Sequence, residues 1–271
     1  MKKKILALCL VVVLAITAVT GATLAYFTDT DAQTNTITMG DVEVDLWEVF
    51  DSEAAKDMVP GEDVNKDVYV ENIGTNDAYV RVHVAVPAIV DDGDPDFNAS
   101  RNFLHWNFTK ASYAAGQWSW LPEYSEGEGY KGNGAGNWNF YTTKIGEDDY
   151  NVYVATYRTA LKRGEVTKTE AITNIYLDKT VDCEVTRDSN NKITMITYKD
   201  NKGNEISVTD PETTFQIKVA VEATQAEGFT NAYEALNTAF GKIENKQYTK
   251  IDWNTITEEY KQFVPAWPVT E

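Results

Sequence analysis

The residues able to do chemistry are few, and their spacing decides what they can do. Histidine occurs twice, as His83 and His105. A zinc peptidase calls for about three protein ligands and a general base, commonly with two histidines one helical turn apart. Neither histidine belongs to a His-Glu-x-x-His motif. His83 falls on the outward face of a valine-rich segment, where a solvated side chain is expected. His105 lies in Phe103-Leu104-His105-Trp106, which reads as a packed aromatic stretch rather than a ligand set. With 42 acidic residues, chance groupings of carboxylates are common and point to no site by themselves. The serines and Cys183 lack a glycine-framed nucleophile motif. The glycine-rich run 127–136 lacks the lysine-serine/threonine ending of a phosphate cradle. These patterns assign no catalytic residue and no cofactor.

Binding chemistry is a separate question. Asp91, Asp92, Asp94 and Asp96, set around Gly93 and Pro95, offer oxygen ligands of the kind calcium takes. Their spacing is not that of an EF-hand, and a solvated turn is the expected state. Trp106, Trp118, Trp120, Trp138, Phe140 and Tyr141 could stack on sugars. Trp118 and Trp120 stand two residues apart, as do Trp138 and Phe140, so each pair shares a strand face and is expected in a core.

Period-two alternation dominates the chain that must position these residues. Val42, Val44 and Leu46 alternate with Glu43, Asp45 and Trp47, which predicts a half-buried strand. Strands are likewise expected over 64–71 and 79–90, parted by the turn-forming run 72–77, and over 138–143, 150–157, 172–177 and 213–224. Residues 181–208 read as a polar hairpin, with 193–198 as one arm and Asp188-Ser189-Asn190-Asn191 at its turn. One helix is expected over 229–240, capped by Thr230 and ended by Gly241, with a short turn at 258–263 before Pro265 and Pro268. Many short strands and few helices define an all-β class, a sandwich or barrel with long loops.

The first residues bear on compartment. Lys2, Lys3 and Lys4 precede an apolar run over 5–19, and Thr23-Leu24-Ala25 supplies small residues at a cleavage site. That layout predicts a secretory signal peptide over 1–25, cleaved between Ala25 and Tyr26, leaving one domain over 26–271. Cys9 would leave with the peptide, so Cys183 becomes the single thiol, expected to be buried and inert. Loss of the three lysines moves the formal charge from −18 to −21, which excludes nucleic acid as a natural partner. Assembly of such chains should respond to acid and salt.

Several motifs in order carry a family resemblance. Gly21-Ala22-Thr23-Leu24-Ala25-Tyr26-Phe27-Thr28-Asp29 resembles the signal-peptide junction of the TasA/camelysin family. Gly40-Asp41-Val42-Glu43-Val44, Val59-Pro60-Gly61-Glu62 and Val68-Tyr69-Val70-Glu71-Asn72-Ile73-Gly74 follow in the family's order. Ile217-Lys218-Val219-Ala220-Val221-Glu222-Ala223-Thr224-Gln225 resembles its closing strand. The resemblance implies processing by a dedicated signal peptidase of the SipW type and a jelly-roll-like antiparallel β-sandwich. One branch of the family forms biofilm-matrix fibres, in which the N-terminal segment of one subunit completes the sheet of the next; the other carries a metallopeptidase label. On the first implication this chain is a secreted matrix protein whose partners are other copies of itself and an accessory matrix protein. A cell-surface glycan-binding or adhesin module, or after it a camelysin-like metallopeptidase, is the alternative.

Residues 26–37 are the expected donor strand. When extended, Tyr26, Thr28, Thr30, Ala32, Thr34 and Thr36 share one face, and Phe27, Asp29, Asp31, Gln33, Asn35 and Ile37 share the other. A largely β-branched face opposite a polar one suits a strand laid across an open core. The subunit contacts are therefore expected at Tyr26, Phe27, Thr28, Thr30, Ala32, Thr34 and Thr36.

Overall fold

Alternating apolar and polar residues become strand over most of the chain. The computed structural model describes residues 28–31, 42–51, 54–93, 103–108, 118–123, 138–209 and 215–256. The first strands are β1 (Thr28–Asp31), β2 (Val44–Phe50), β3 (Val64–Asn72) and β4 (Ala78–Pro87), with a 3-10 turn at Ala54–Asp57 between β2 and β3. Next come β5 (Leu104–Phe108), β6 (Trp118–Ser119), β7 (Phe140–Ile145), β8 (Asp148–Tyr157) and β9 (Ile172–Leu177). Then follow β10 (Asp182–Arg187), β11 (Ile193–Lys199), β12 (Glu205–Val208) and β13 (Lys218–Gln225), and the helix α1 (Ala232–Phe240). The expected turn at 258–263 lies outside the described residues.

The strands form three antiparallel sheets. One has the order β2-β3-β9-β5. The second has the order β1-β13-β4-β8-β6, with β7 also paired to β8. The third, β10-β11-β12, is the polar hairpin extended by one strand. In its first turn the Asp188 carboxylate accepts from the backbone of Asn190 and Lys192, and Asn191 takes a left-handed φ of 64°, a conformation asparagine tolerates.

The first two sheets pack face to face as a sandwich. Val44 and Leu46 from β2, and Val68 and Val70 from β3, meet Val80, Val82, Val84 and Val86 of β4 and Val219 and Val221 of β13 in one buried cluster. Trp118, Trp120 and Phe140 belong to that cluster, as their spacing predicts, with Trp138 partly buried against it, and Trp106 joins them. The fold is the expected all-β sandwich. β5 is a strand that was read only as a packed aromatic stretch. Its Leu104 and Trp106 point inward, while His105 points out.

A second core lies on the other face of the larger sheet. Ala85, Tyr141, Val152, Val154 and Ala220 pack there against Ala232, Leu236 and Phe240 of α1 and against Tyr248, Ile251 and Trp253 beyond it. The sheet carrying β4 and β13 is thus buried on both faces, which explains its near-continuous apolar runs. The helix begins at Ala232, its cap one residue later than the expected Thr230. Asn231 is the cap, its side chain accepting from the Glu234 backbone at 3.0 Å, while Thr230 bonds back to the Glu234 carboxylate. Gly241, at φ 89°, ends it as predicted.

Candidate strand-exchange edge

β13 lies between β4 and β1, and among the described residues β1 is the outermost strand on that side of the sheet. The register places Thr28 opposite Thr224, Asp29 opposite Ala223, Thr30 opposite Glu222 and Asp31 opposite Val221. Four residues of the expected donor strand therefore line the β13 edge of their own chain. The rest of that expectation, Tyr26, Phe27, Ala32, Thr34 and Thr36, lies outside the described residues, as does the cleavage junction at Ala25. The closing strand expected over 213–224 runs from Lys218 to Gln225.

On its other side β13 is anchored by a buried polar network. Glu222 pairs in register with Arg81 of β4, and the guanidinium Nε donates to Glu222 Oε2 at 2.6 Å. Arg81 Nη2 donates to Tyr248 Oη at 2.7 Å, and Tyr248 donates onward to Glu222 Oε1 at 2.6 Å. The same guanidinium reaches Asn237 and the Gly241 carbonyl at the C-terminal end of α1, where a cation is favoured. One arginine thereby joins β13, β4 and the helical layer.

His83 completes the network and corrects its own expected exposure. It is fully buried, because α1 and the segment after it cover the face that looked solvated. Its Nε2 lies 3.1 Å from Glu222 Oε2, and its Nδ1 lies 3.3 Å from Tyr141 Oη, which accepts from Trp253 Nε1 at 3.2 Å. Burial pushes the imidazole pKa down, against the pull of Glu222, so the ring is neutral. The consistent tautomer carries its proton on Nε2, donates to Glu222 and accepts from Tyr141. For Glu222 itself, burial would raise the carboxyl; the His83, Arg81 and Tyr248 contacts override it and hold the pKa down at about 2. Burial pushes the Tyr141 and Tyr248 phenols well above their ordinary range.

The other expected site residues are dispersed. Asp91 is buried, with its carboxylate accepting from Tyr153 Oη at 2.6 Å and Asn151 Nδ2 at 3.0 Å, so it serves as an internal acceptor rather than a residue of a solvated turn. Burial raises its pKa, partly offset by those bonds. Asp92 follows it, while Asp94 and Asp96 lie outside the described residues. Cys183 is exposed on β10, contrary to the buried thiol expected. All six residues of that strand are exposed, and a polar hairpin offers the sulfur no core to enter.

Sequence reasoning missed Arg81, Glu222 and Tyr248 as a unit. The available signal was an opposite-charge pair embedded in two valine-rich strands. The long separation, 141 residues between Arg81 and Glu222 and 167 between Arg81 and Tyr248, hid their meeting.

Fold and edge together define an antiparallel β-sandwich whose N-terminal strand closes one sheet. Residues 1–104 match the family model described as Camelysin metallo-endopeptidase, so the TasA/camelysin resemblance holds across the span that includes β1 to β4. No curated protein and no solved structure matches the chain. The described residues do not fit the metal implied by that family description. Among them no three His, Cys, Asp or Glu side chains gather as ligands. Both ring nitrogens of His83 are engaged, and His105 bonds Asp178 at 2.9 Å in the other sheet.

Proposed function

We propose that this protein is an exported structural subunit of an extracellular matrix, assembling into fibres when the N-terminal strand of one copy replaces β1 on the β13 edge of another. No catalytic role forms part of this reading. The observation that carries it is the position of β1: a short N-terminal strand laid on an edge that another chain's copy could occupy with the same register. Such strand addition uses backbone hydrogen bonds for affinity and alternate side chains for specificity.

The energetics leave the self-docked strand free to exchange. A four-residue ladder makes on the order of four backbone hydrogen bonds at about 1 kcal/mol each. Ordering four residues costs roughly 1–2 kcal/mol apiece, so the described part of the self-docked strand is near balance. The rigid partner is β13, fixed by Glu222 and flanked by β4. A donor strand finds that template already formed, and swapping an identical element between copies is a low-cost route to association. Charge repulsion between strongly acidic subunits then sets the concentration, salt and acid dependence.

Cross-linking tests it directly. Thr28 and Thr224 are register partners, a placement compatible with a disulfide between facing positions. In a Cys183→Ser background, Thr28→Cys with Thr224→Cys should give an internally linked monomer before assembly and a covalent ladder of multimers from fibres. Fibres that yield internally linked monomer alone would rule out exchange.

A further inference from the structure

The outward face of the four-stranded sheet has a chemistry that strand exchange does not use. On β2 and β3 the inward residues are Val44, Leu46, Val68 and Val70, which leaves Trp47 and Tyr69 on the opposite face, directly paired in register and partly exposed. At the other side of the sheet His105 pairs in register with Tyr176, and their rings stack at 5.1 Å between centroids and 15° between planes. Both rings are partly exposed.

Each site holds its rings by carboxylates. Trp47 Nε1 donates to Glu71 at 2.9 Å, Tyr69 Oη donates to Glu170 at 3.3 Å, and His105 Nε2 lies 2.9 Å from Asp178. Tethered rings lose less freedom when a ligand settles on them. Between the two aromatic pairs the face is amide and acid: Asn65 lies beside Asn174 in register and bonds Asp67 at 3.0 Å. The electrostatics agree in sign. Asp67 is raised by burial and by the nearby Glu170, and Tyr176 by burial and by Asp63 and Asp178. Lys168 and Lys179, both exposed, flank these positions in the chain.

The spacing suits an extended ligand. Continuing the Asn65–Asn174 register sets Tyr176 beside position 63, six residues along β3 from Tyr69. At about 3.3 Å per residue, the two aromatic pairs stand roughly 20 Å apart, a span of several sugar units on a pleated surface. Sugar ring faces stack on aromatic rings, and ammonium groups satisfy both carboxylates and aromatic faces.

We propose that this face binds a linear amino-sugar glycan, with Trp47 and Tyr69 at one end, Tyr176 and His105 at the other, and the intervening acids pairing with its ammonium groups. The proposal is independent of strand exchange, since it uses neither β1 nor β13. The experiment is calorimetric titration of the purified protein with fully deacetylated glucosamine oligomers, in a mildly acidic buffer that keeps their amines protonated. N-acetylated oligomers and oligolysine serve as the comparison arms.

Saturable binding is expected for the glucosamine oligomers, with about tenfold weaker binding by Tyr69→Ala and by Trp47→Ala. Tyr69→Phe keeps the ring and should bind within a factor of about two of the parent, which separates stacking from misfolding. Circular dichroism of each variant confirms the fold. Three results would overturn the proposal: no saturable binding, binding unchanged in Tyr69→Ala, or equal affinity for oligolysine. Equal affinity for the N-acetylated oligomers would overturn the charge-based assignment.

Discussion

Arg81 and Glu222 face each other across the β4–β13 pair, Nε to Oε2 at 2.6 Å, with both side chains almost wholly removed from water. An ion pair of this kind need not exceed an apolar pair in stability, but breaking it strands a buried charge. It also joins α1 and Tyr248 to the strand that β1 covers. The stiffness of the proposed acceptor edge depends on this contact.

Removing one partner should therefore be costlier than removing both. Arg81→Met is expected to destabilise the fold by about 3–5 kcal/mol, because Glu222 is left uncompensated. For a chain of this size that lowers the melting temperature by roughly ten degrees or more. The double variant Arg81→Met with Glu222→Leu should recover part of the loss, the remainder coming from His83 Nε2 and Tyr248 Oη left without their acceptor. Thermal unfolding of the three proteins checks this, and equal losses in single and double variants would contradict it.

Acid should weaken the same region for two reasons of like sign. The Glu222 pKa is held down at about 2 from an ordinary 4.5, so its contribution is present above pH 4.5 and fades as the pH falls toward 2. His83 is lowered from an ordinary 6.5, so the unfolded chain takes up a proton that the folded chain refuses, and stability falls as the pH drops below 6.5. The Glu222 part is on the order of 3 kcal/mol. Melting temperature should stay level near neutrality, decline below pH 6.5 and fall more steeply below 4.5. His83→Gln should remove the upper part of that decline and shrink the lower part, because His83 helps hold the Glu222 carboxyl down.

Cys183 should behave as an open surface thiol. A thiol reagent added to the native protein beginning at Tyr26 should titrate one group per chain without denaturant, given its exposure on β10. Cys183→Ser should shift stability by less than about 0.5 kcal/mol, the usual range for surface changes. Reaction that begins only on unfolding would contradict the placement.

How much of this was legible in the residues follows from where each residue's environment comes from. β2, β3, β4, β8 and β9 announce themselves, because local alternation reports one buried face. β10 lacks that alternation, since its residues are all exposed, and was legible only as the arm preceding the Asp188-Ser189-Asn190-Asn191 turn. The outward face of β4 was misread for a different reason. Arg81 and His83 look solvated beside Val80, Val82 and Val84, and only the packing of α1 and of Tyr248 and Trp253, far along the chain, buries them. Trp118, Trp120 and Phe140 were legible as core residues from their two-residue spacing. The paired rings on the other sheet's outer face were not, because Trp47 and Tyr69 meet only through strand register.

The central claim is that the N-terminal strand builds the polymer while the body folds without it. The direct measurement compares the chain beginning at Tyr26 with one lacking residues 26–35, both incubated under mildly acidic and neutral conditions and imaged by negative-stain electron microscopy. Fibres from the longer chain, none from the shorter, and a cooperative unfolding transition in both are the predicted result. Fibres of the same form from the shorter chain would contradict the account.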